Sequence, residues 1–204
     1  MTNEWNKIKL SDYENHMSEP NVLQLQTLNR ITQKQIIDYN PLSLVFLGVA
    51  GGNGLEYCKD IGQVFAIDIN KNFLDTCIKR FPYTNIEYIH KDLNTDELNL
   101  KNIDLVVANL VFEYLNEEIV IPKISKILKS GGILSIVFQI DNNNSFVSKT
   151  KYSDKLACLD NIHHTVKENY LQNILEENNF TKVSEENYPL PNNKLLKRID
   201  YKLR

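Results

Sequence analysis

The chain of 204 residues carries 23 Lys and Arg against 26 Asp and Glu, a formal net charge of −3, with 42% hydrophobic and 24% charged residues. Those proportions fit one globular domain with a sizeable core, offer no overall basic character for nucleic acid, and contain no apolar run near the ~18 residues of a membrane span. Its three cysteines, Cys58, Cys77 and Cys158, stand far apart in no metal-ligand spacing, which predicts thiols in a reducing cytoplasm and no metal site.

The N-terminus is polar and lacks the apolar core of a signal peptide. Residues 1–40 read as a helical cap on the main body. Ser18 is a candidate cap, Pro20 fits a first turn, and Val22, Leu25, Leu28, Ile31 and Ile36 recur at helical spacing, predicting an amphipathic helix over 21–38. The preceding residues 13–17 look irregular, a candidate lid. Asn40-Pro41 ends the helix, because the residue before proline is pushed from the helical region.

From residue 41 strands and helices alternate. Leu44 to Leu47 reads as a strand, running into the small-residue turn Gly48-Val49-Ala50-Gly51-Gly52-Asn53-Gly54 and a short helix over 55–60. Val64 to Ile67 is the second strand, ending at Asp68, and Asn70 caps a helix with stripe Phe73, Leu74, Cys77, Ile78 and Phe81. Ile86 to Ile89 and Ile103 to Ala108 are further strands, ending before Asp92 and at Asn109. Asn116 caps a helix carrying Ile119, Val120, Ile124, Ile127 and Leu128, in which Pro122 predicts a kink or a later start. Ser130-Gly131-Gly132 stops it, and Ile133 to Phe138 is the fifth strand. Residues 141–164 form a polar insertion with an asparagine run at 142–144, a candidate lid. Thr165 to Glu168 reads as a capping box opening a helix to about Glu177. Two strand-like runs close the chain as an antiparallel hairpin at the sheet edge, with Arg198, Asp200, Lys202 and Arg204 expected on its solvent face and no nucleic-acid site there.

The pattern predicts an α/β fold, a doubly wound and mostly parallel sheet, in one domain: a cap over 1–40 and a core over 41–204. Ligands of such sheets bind beyond the C-terminal strand ends. The turn after the first strand lets backbone approach a ligand closely. Asp68, about twenty residues after Gly48, can accept both hydroxyls of a ribose and would repel a 2′-phosphate. Asp92 can accept from an adenine amine, with Leu93 and Ile69 packing on the base. Asn109 and Leu110 close the fourth strand, and Glu113 and Tyr114 follow as candidates for an active-site floor.

This ordered set resembles the class I S-adenosylmethionine-dependent methyltransferases, especially their small bacterial domains. The glycine turn is similar to that family's first motif, Asp68 to its ribose-binding acid, Asp92-Leu93 to its adenine pair, Asn109 to Tyr114 to its fourth motif, and Leu128-Lys129-Ser130-Gly131-Gly132 to the turn before its fifth strand. The resemblance implies a seven-stranded Rossmann-like sheet, S-adenosylmethionine as cofactor with S-adenosylhomocysteine as product, and Gly48, Val49, Ala50, Gly52, Asn53, Asp68, Ile69, Asp92, Leu93, Asn109 and Leu110 as its binding residues. Two positions depart from the pattern: Phe46 stands where the family has an acid, and Ala50 replaces the middle glycine. Asn53, the Gly48 carbonyl or Glu113 are candidates to replace the lost carboxylate.

The function implied is methyl transfer to a small-molecule acceptor by a cytoplasmic enzyme, monomeric or homodimeric, without nucleic-acid or membrane partners. Candidates for base or acceptor-orienting groups are Tyr13, His16, Glu113, Tyr114, His163 and His164. A catalytically silent cofactor-binding module is the alternative that Phe46 motivates. An NAD-dependent oxidoreductase is a further one, opposed by Ala50 at the second glycine of the dinucleotide fingerprint.

Overall fold

A computed structural model describes residues 3–140 and 146–204; the asparagine run at 142–144 lies outside these. The strands are β1 Ser43–Leu47, β2 Gln63–Asp68, β3 Ile86–His90, β4 Ile103–Asn109, β5 Leu128–Ile140, β6 Phe180–Pro189 and β7 Leu195–Leu203. They form one sheet in the order β3-β2-β1-β4-β5-β7-β6. The first five pair in parallel, and β7 runs antiparallel to both β5 and β6. The helices are α1 Leu10–Ser18, α2 Gln24–Tyr39, α3 Lys71–Arg80, α4 Glu117–Ile127, α5 Ser153–Leu156 and α6 Glu168–Glu177.

The central strands are apolar on both faces because both faces are covered. Val45, Leu47, Val106, Leu134 and Ile136 pack with Val120, Ile121 and Ile124 of α4 and Leu171 and Leu175 of α6. On the opposite face Leu44, Phe46, Val64, Leu105 and Val107 meet Leu74 and Cys77 of α3 and Ile36 and Tyr39 of α2. Phe46 belongs to that layer and is 4% exposed, so its side chain fills the core. The strand order reverses between β1 and β4, so their C-terminal ends open a crevice where Gly48 and Asn109 emerge.

Several sequence expectations are corrected. Residues 13–17 are regular helix within α1; Ser18 ends that helix instead of capping the next, and its hydroxyl donates to the Asn15 carbonyl at 3.1 Å. The helix α2 starts at Gln24 behind Leu23, whose φ of 51° makes the corner. Pro122 is accommodated inside α4, which starts at Glu117 as Asn116 directs. Ile78 and Ile119 are 46% and 41% exposed and face outward. The glycines at 131 and 132 lie inside β5, which starts at Leu128, with Gly131 at φ +77°. Thr165 caps nothing: α6 begins behind Lys167, which makes no side-chain cap bond. The polar insertion carries α5 and a 3-10 turn, Ala157–Asn161, packed on the N-terminal segment through Leu156 and Leu159.

The largest correction concerns β7. It is an interior strand flanked by β5 and β6, and Arg198 and Asp200 are 1% and 0% exposed. The Arg198 guanidinium donates to both carboxylate oxygens of Asp200 at 2.9 and 2.6 Å and to Asp38 at 3.0 Å. The Tyr39 and Ser184 hydroxyls each donate to Asp200 Oδ2, at 2.6 and 2.8 Å. The end of α2 therefore covers the face that alternation alone assigned to solvent.

Candidate functional site

The turn after β1 folds back because Gly48 (φ +72°) lets both its own N–H and that of Val49 donate to the Ile67 carbonyl, at 2.9 and 3.1 Å. A Cβ on Gly48 would stand 2.8 Å from Val111. Ala50 holds a left-handed φ of 48°, which costs an L-residue roughly 1–2 kcal/mol. Two contacts fix it: its N–H donates to Asp68 Oδ2 at 2.8 Å, and the Cys77 thiol donates to its carbonyl at 3.0 Å. Leu110, across the crevice, is also left-handed at φ 54°. Two strained non-glycine residues thus face one crevice, a cost that surrounding structure must offset.

Asp68 ends β2 with each carboxylate oxygen already accepting one backbone bond, Oδ1 from Asn70 N–H and Oδ2 from Ala50 N–H, both at 2.8 Å. Burial pushes its carboxyl up to about 6, against the pull of those backbone donors and of nearby His90. Asn70 then caps α3 by accepting from Asn72 and Phe73 and ties the cap to the core by donating to the Trp5 carbonyl at 2.9 Å.

A cleft lies over these strand ends, lined by Gly48, Ala50, Asp68, Ile69, Asp92, Leu93, Asn109 and Leu110, with Trp5, Tyr13 and Tyr114 closing it from above. Asp92 Oδ1 accepts from Asn94 N–H at 2.9 Å, turning the chain after β3. A second chamber beside the turn is lined by Val49, Gly51, Asn53, Glu14 and Thr32. Gly52 lines neither space; its φ of +88° shapes the turn from behind, where a Cβ would meet the Phe81 ring at 2.6 Å. The Asn53 amide is engaged, accepting from Asn29 and donating to the Leu25 carbonyl, each at 2.9 Å.

Asn109 is held by α2. Its amide donates to Thr32 Oγ1 at 3.0 Å and exchanges bonds with the Gln35 amide at 3.1 and 3.2 Å. Gln35 also donates to Ser135 at 2.7 Å, and Ser135 to Asp200 at 2.5 Å. One polar chain thus runs from the buried Arg198–Asp200 pair to the cleft. Trp5, Glu14, Thr32 and Gln35 were not among the sequence candidates; no local motif marks them.

Among the base and acceptor candidates, Tyr13 and Tyr114 form a wall between the cleft and a third chamber that His16, Gln24, Gln139, Phe146 and Leu159 also line. Trp5 packs edge-on against both tyrosines, its ring 5.7 Å from Tyr13 and 5.0 Å from Tyr114. Burial, then the charges of Asp68 and Glu113, raise the Tyr13 phenol far above its ordinary range. His16 is 3% exposed, and its Nδ1 lies 2.9 Å from Thr150 Oγ1. Burial and Lys194 lower its imidazole, favouring the neutral form. Glu113 is buried below this chamber and accepts from Gln139 N–H at 2.9 Å. His163 and His164 stand apart from the cleft: His163 stacks on the outer side of Phe146 at 4.2 Å, and His164 Nε2 turns to Glu117 at 3.2 Å. The main chain turns them away, since His164 N–H donates to the Glu113 carbonyl.

The donor set fits an adenosyl group. Asp68 retains lone pairs for a ribose diol, Ile69 and Leu93 offer apolar surface for a base, and Asp92 stands at its edge. The parallel core, the antiparallel C-terminal strand pair and this crevice define the Rossmann-like methyltransferase fold. Residues 45–136 match a family model described as a methyltransferase domain. Over 92 residues the chain is 35% identical to phosphoethanolamine N-methyltransferase 1 of Triticum aestivum, an alignment covering 40% of this chain and 18% of the wheat protein. Among solved structures, N-methyltransferase NodS from Bradyrhizobium japonicum WM9 in complex with S-adenosyl-L-homocysteine superposes with a TM-score of 0.69 at 15% identity, over 97% of this chain and 98% of that one. A Listeria monocytogenes protein described as a putative S-adenosylmethionine-dependent methyltransferase gives 0.66 at 15% identity, over 86% and 97%. At these identities the superpositions speak for the fold alone. The family-model match over residues 45–136, the fold and the crevice together make the chain similar to the class I S-adenosylmethionine-dependent methyltransferases.

Proposed function

We propose that the chain binds S-adenosylmethionine in the cleft over the strand ends and transfers its methyl group to a small molecule that enters from the chamber lined by His16, Gln24 and Gln139. The observation that carries this reading is the shared wall: Tyr13, Leu110 and Tyr114 line both spaces, so an acceptor and a cofactor would meet across them. Asp68 would hold the ribose, Ile69 and Leu93 the base with Asp92 at its edge, and Gly48, Val49 and Ala50 the backbone around the sulfur, with Asn109 and Leu110 opposite.

When bound, the sulfonium supplies an electrophilic methyl group; the chain supplies alignment and a dry surround. Such positioning accounts for roughly 7–11 kcal/mol in favourable cases. His16 is our candidate base, because its imidazole favours the neutral form and Nδ1 is held by Thr150. Tyr13, Tyr114 and Glu113 would orient the acceptor, whereas the positions of His163 and His164 argue against a direct role. The wheat relative and NodS are both named N-methyltransferases, so amines head the acceptors to be tried.

The reading includes a single-domain enzyme, monomeric or homodimeric, in the cytoplasm. Its three free cysteines support that location. Among the described residues no helix is long and apolar enough to cross a membrane. The test is incubation with methyl-labelled S-adenosylmethionine and an acceptor panel led by small amines, read by mass spectrometry. Labelled product that disappears in His16→Gln and Asp68→Ala supports the reading; a protein that binds cofactor yet labels no acceptor points to the silent module.

A further inference from the structure

The family's acid at the end of the first strand is replaced by Phe46, whose ring is committed to the core. Of the three candidates the sequence offered in its place, two are engaged elsewhere, since the Asn53 amide bonds Asn29 and Leu25 and Glu113 accepts from Gln139; the third, the Gly48 carbonyl, carries only a dipole and no formal charge. What the fold brings to the glycine turn instead is Glu14, from α1. Its carboxylate lies directly over Gly51, where an added Cβ would fall 2.0 Å from Oε1. Arg80, at the end of α3, fixes it there: the guanidinium donates to both Glu14 oxygens, Nη2 to Oε2 at 2.9 Å, while Nη1 also donates to the Gly51 carbonyl at 3.0 Å. Glu14 is the charged side chain among those lining the second chamber, whose other polar walls are the neutral Thr32, Asn53 and Asn109. That chamber adjoins the cleft through Tyr13, Gly48, Ala50 and Asn109.

We infer that Glu14 is the anionic anchor for the α-ammonium group of the cofactor's amino-acid end, replacing from the cap the carboxylate that β1 lacks, with Arg80 as its positioning residue. This rests on the cofactor reading above. A carboxylate bidentate to arginine keeps lone pairs for a second cation, and a charge-assisted bond of this kind changes affinity about ten- to hundredfold.

The test is calorimetry on the full chain with three probes: S-adenosylhomocysteine; its deamino analogue, which keeps the carboxylate and lacks the ammonium; and 5′-methylthioadenosine, which lacks both. Glu14→Gln should weaken S-adenosylhomocysteine about ten- to hundredfold and leave the other two within about twofold. Gly51→Ala, whose backbone tolerates a side chain and whose methyl would displace the Glu14 carboxylate, should reproduce that selective loss if the first variant fails to fold. Equal weakening of all three probes, or an unchanged S-adenosylhomocysteine affinity, overturns the assignment while the cofactor reading stands. Failure of the wild-type chain to bind any probe overturns both.

Discussion

Asp68 offers a direct handle on the site, because its two roles respond to pH with opposite sign. Burial raises its carboxyl from 3.8 to about 6, which by linkage means that its buried charge costs the folded chain of order 3 kcal/mol above pH 6. That cost is relieved as pH falls through 6 and is gone below the ordinary carboxylate range. Ribose hydroxyls, by contrast, need the anion as acceptor. With the carboxyl near 6, about half is ionised at pH 6 and about one-tenth at pH 5, so nucleoside affinity should be flat above about pH 7, drop about fivefold between pH 6 and 5, and stand about tenfold below its plateau at pH 5. The assay is calorimetry with 5′-methylthioadenosine, which has no amino-acid end to titrate. His90 neighbours Asp68, with Nε2 2.9 Å from the Ile69 carbonyl, so the same titration on His90→Gln removes the imidazole's share. Asp68→Asn should bind weakly at every pH and lose the slope. A wild-type affinity that is level from about pH 7.5 to 5 would falsify the argument that Asp68 receives the ribose as an anion.

Three further outcomes are expected. Arg198→Met should destabilise the chain by about 3–5 kcal/mol in urea unfolding, because it strands the fully buried Asp200; adding Asp200→Leu should recover much of the loss, and no recovery would mean the pair is not acting as a unit. Asn70→Ala should cost about 1 kcal/mol through the lost α3 cap, and its lost bond to Trp5 should raise protease cleavage before residue 10, a change absent if the N-terminal segment is held otherwise. His16→Gln should lower kcat about 10²- to 10⁴-fold for an acceptor that must lose a proton, with cofactor affinity unchanged; a loss confined to cofactor affinity would exclude it as the base.

The legible parts of the fold were those decided within one element. Apolar runs closed by Asp68 or Asn109, and the caps Asn70 and Asn116, announce their own boundaries because the partners lie within three residues. The helix α1 was not legible: in Leu10–Ser18 the buried residues are His16 and Met17, too few for a stripe. Thr165 carried the letters of a capping box, but the helix begins later. For β7, a period of two identified its two faces but not which is covered; the cover arrives from Asp38 and Tyr39, some 160 residues earlier. Glu14 and Arg80 are equally silent, since neither belongs to a motif and their meeting over Gly51 depends on how α1 docks. Sequence reading therefore named the strand-borne residues of the candidate site with Tyr13 and Tyr114 above them, and passed over Trp5, Glu14 and Arg80, which reach it only through tertiary docking.

The polar chain from Asp200 through Ser135 and Gln35 to Asn109 has a consequence for synthesis. Glycine turn, Asp68 and Asn109 all leave the ribosome in the first 109 residues, yet the strand that braces α2 against them comes last. Until residue 200 is made, Ser135 lacks its acceptor, and Asn109 is held only by Thr32 and Gln35 of a helix that β7 does not yet brace. A nascent chain would carry every strand-end residue of the cleft and still lack its finished geometry, so cofactor capture should switch on late in translation, with β7.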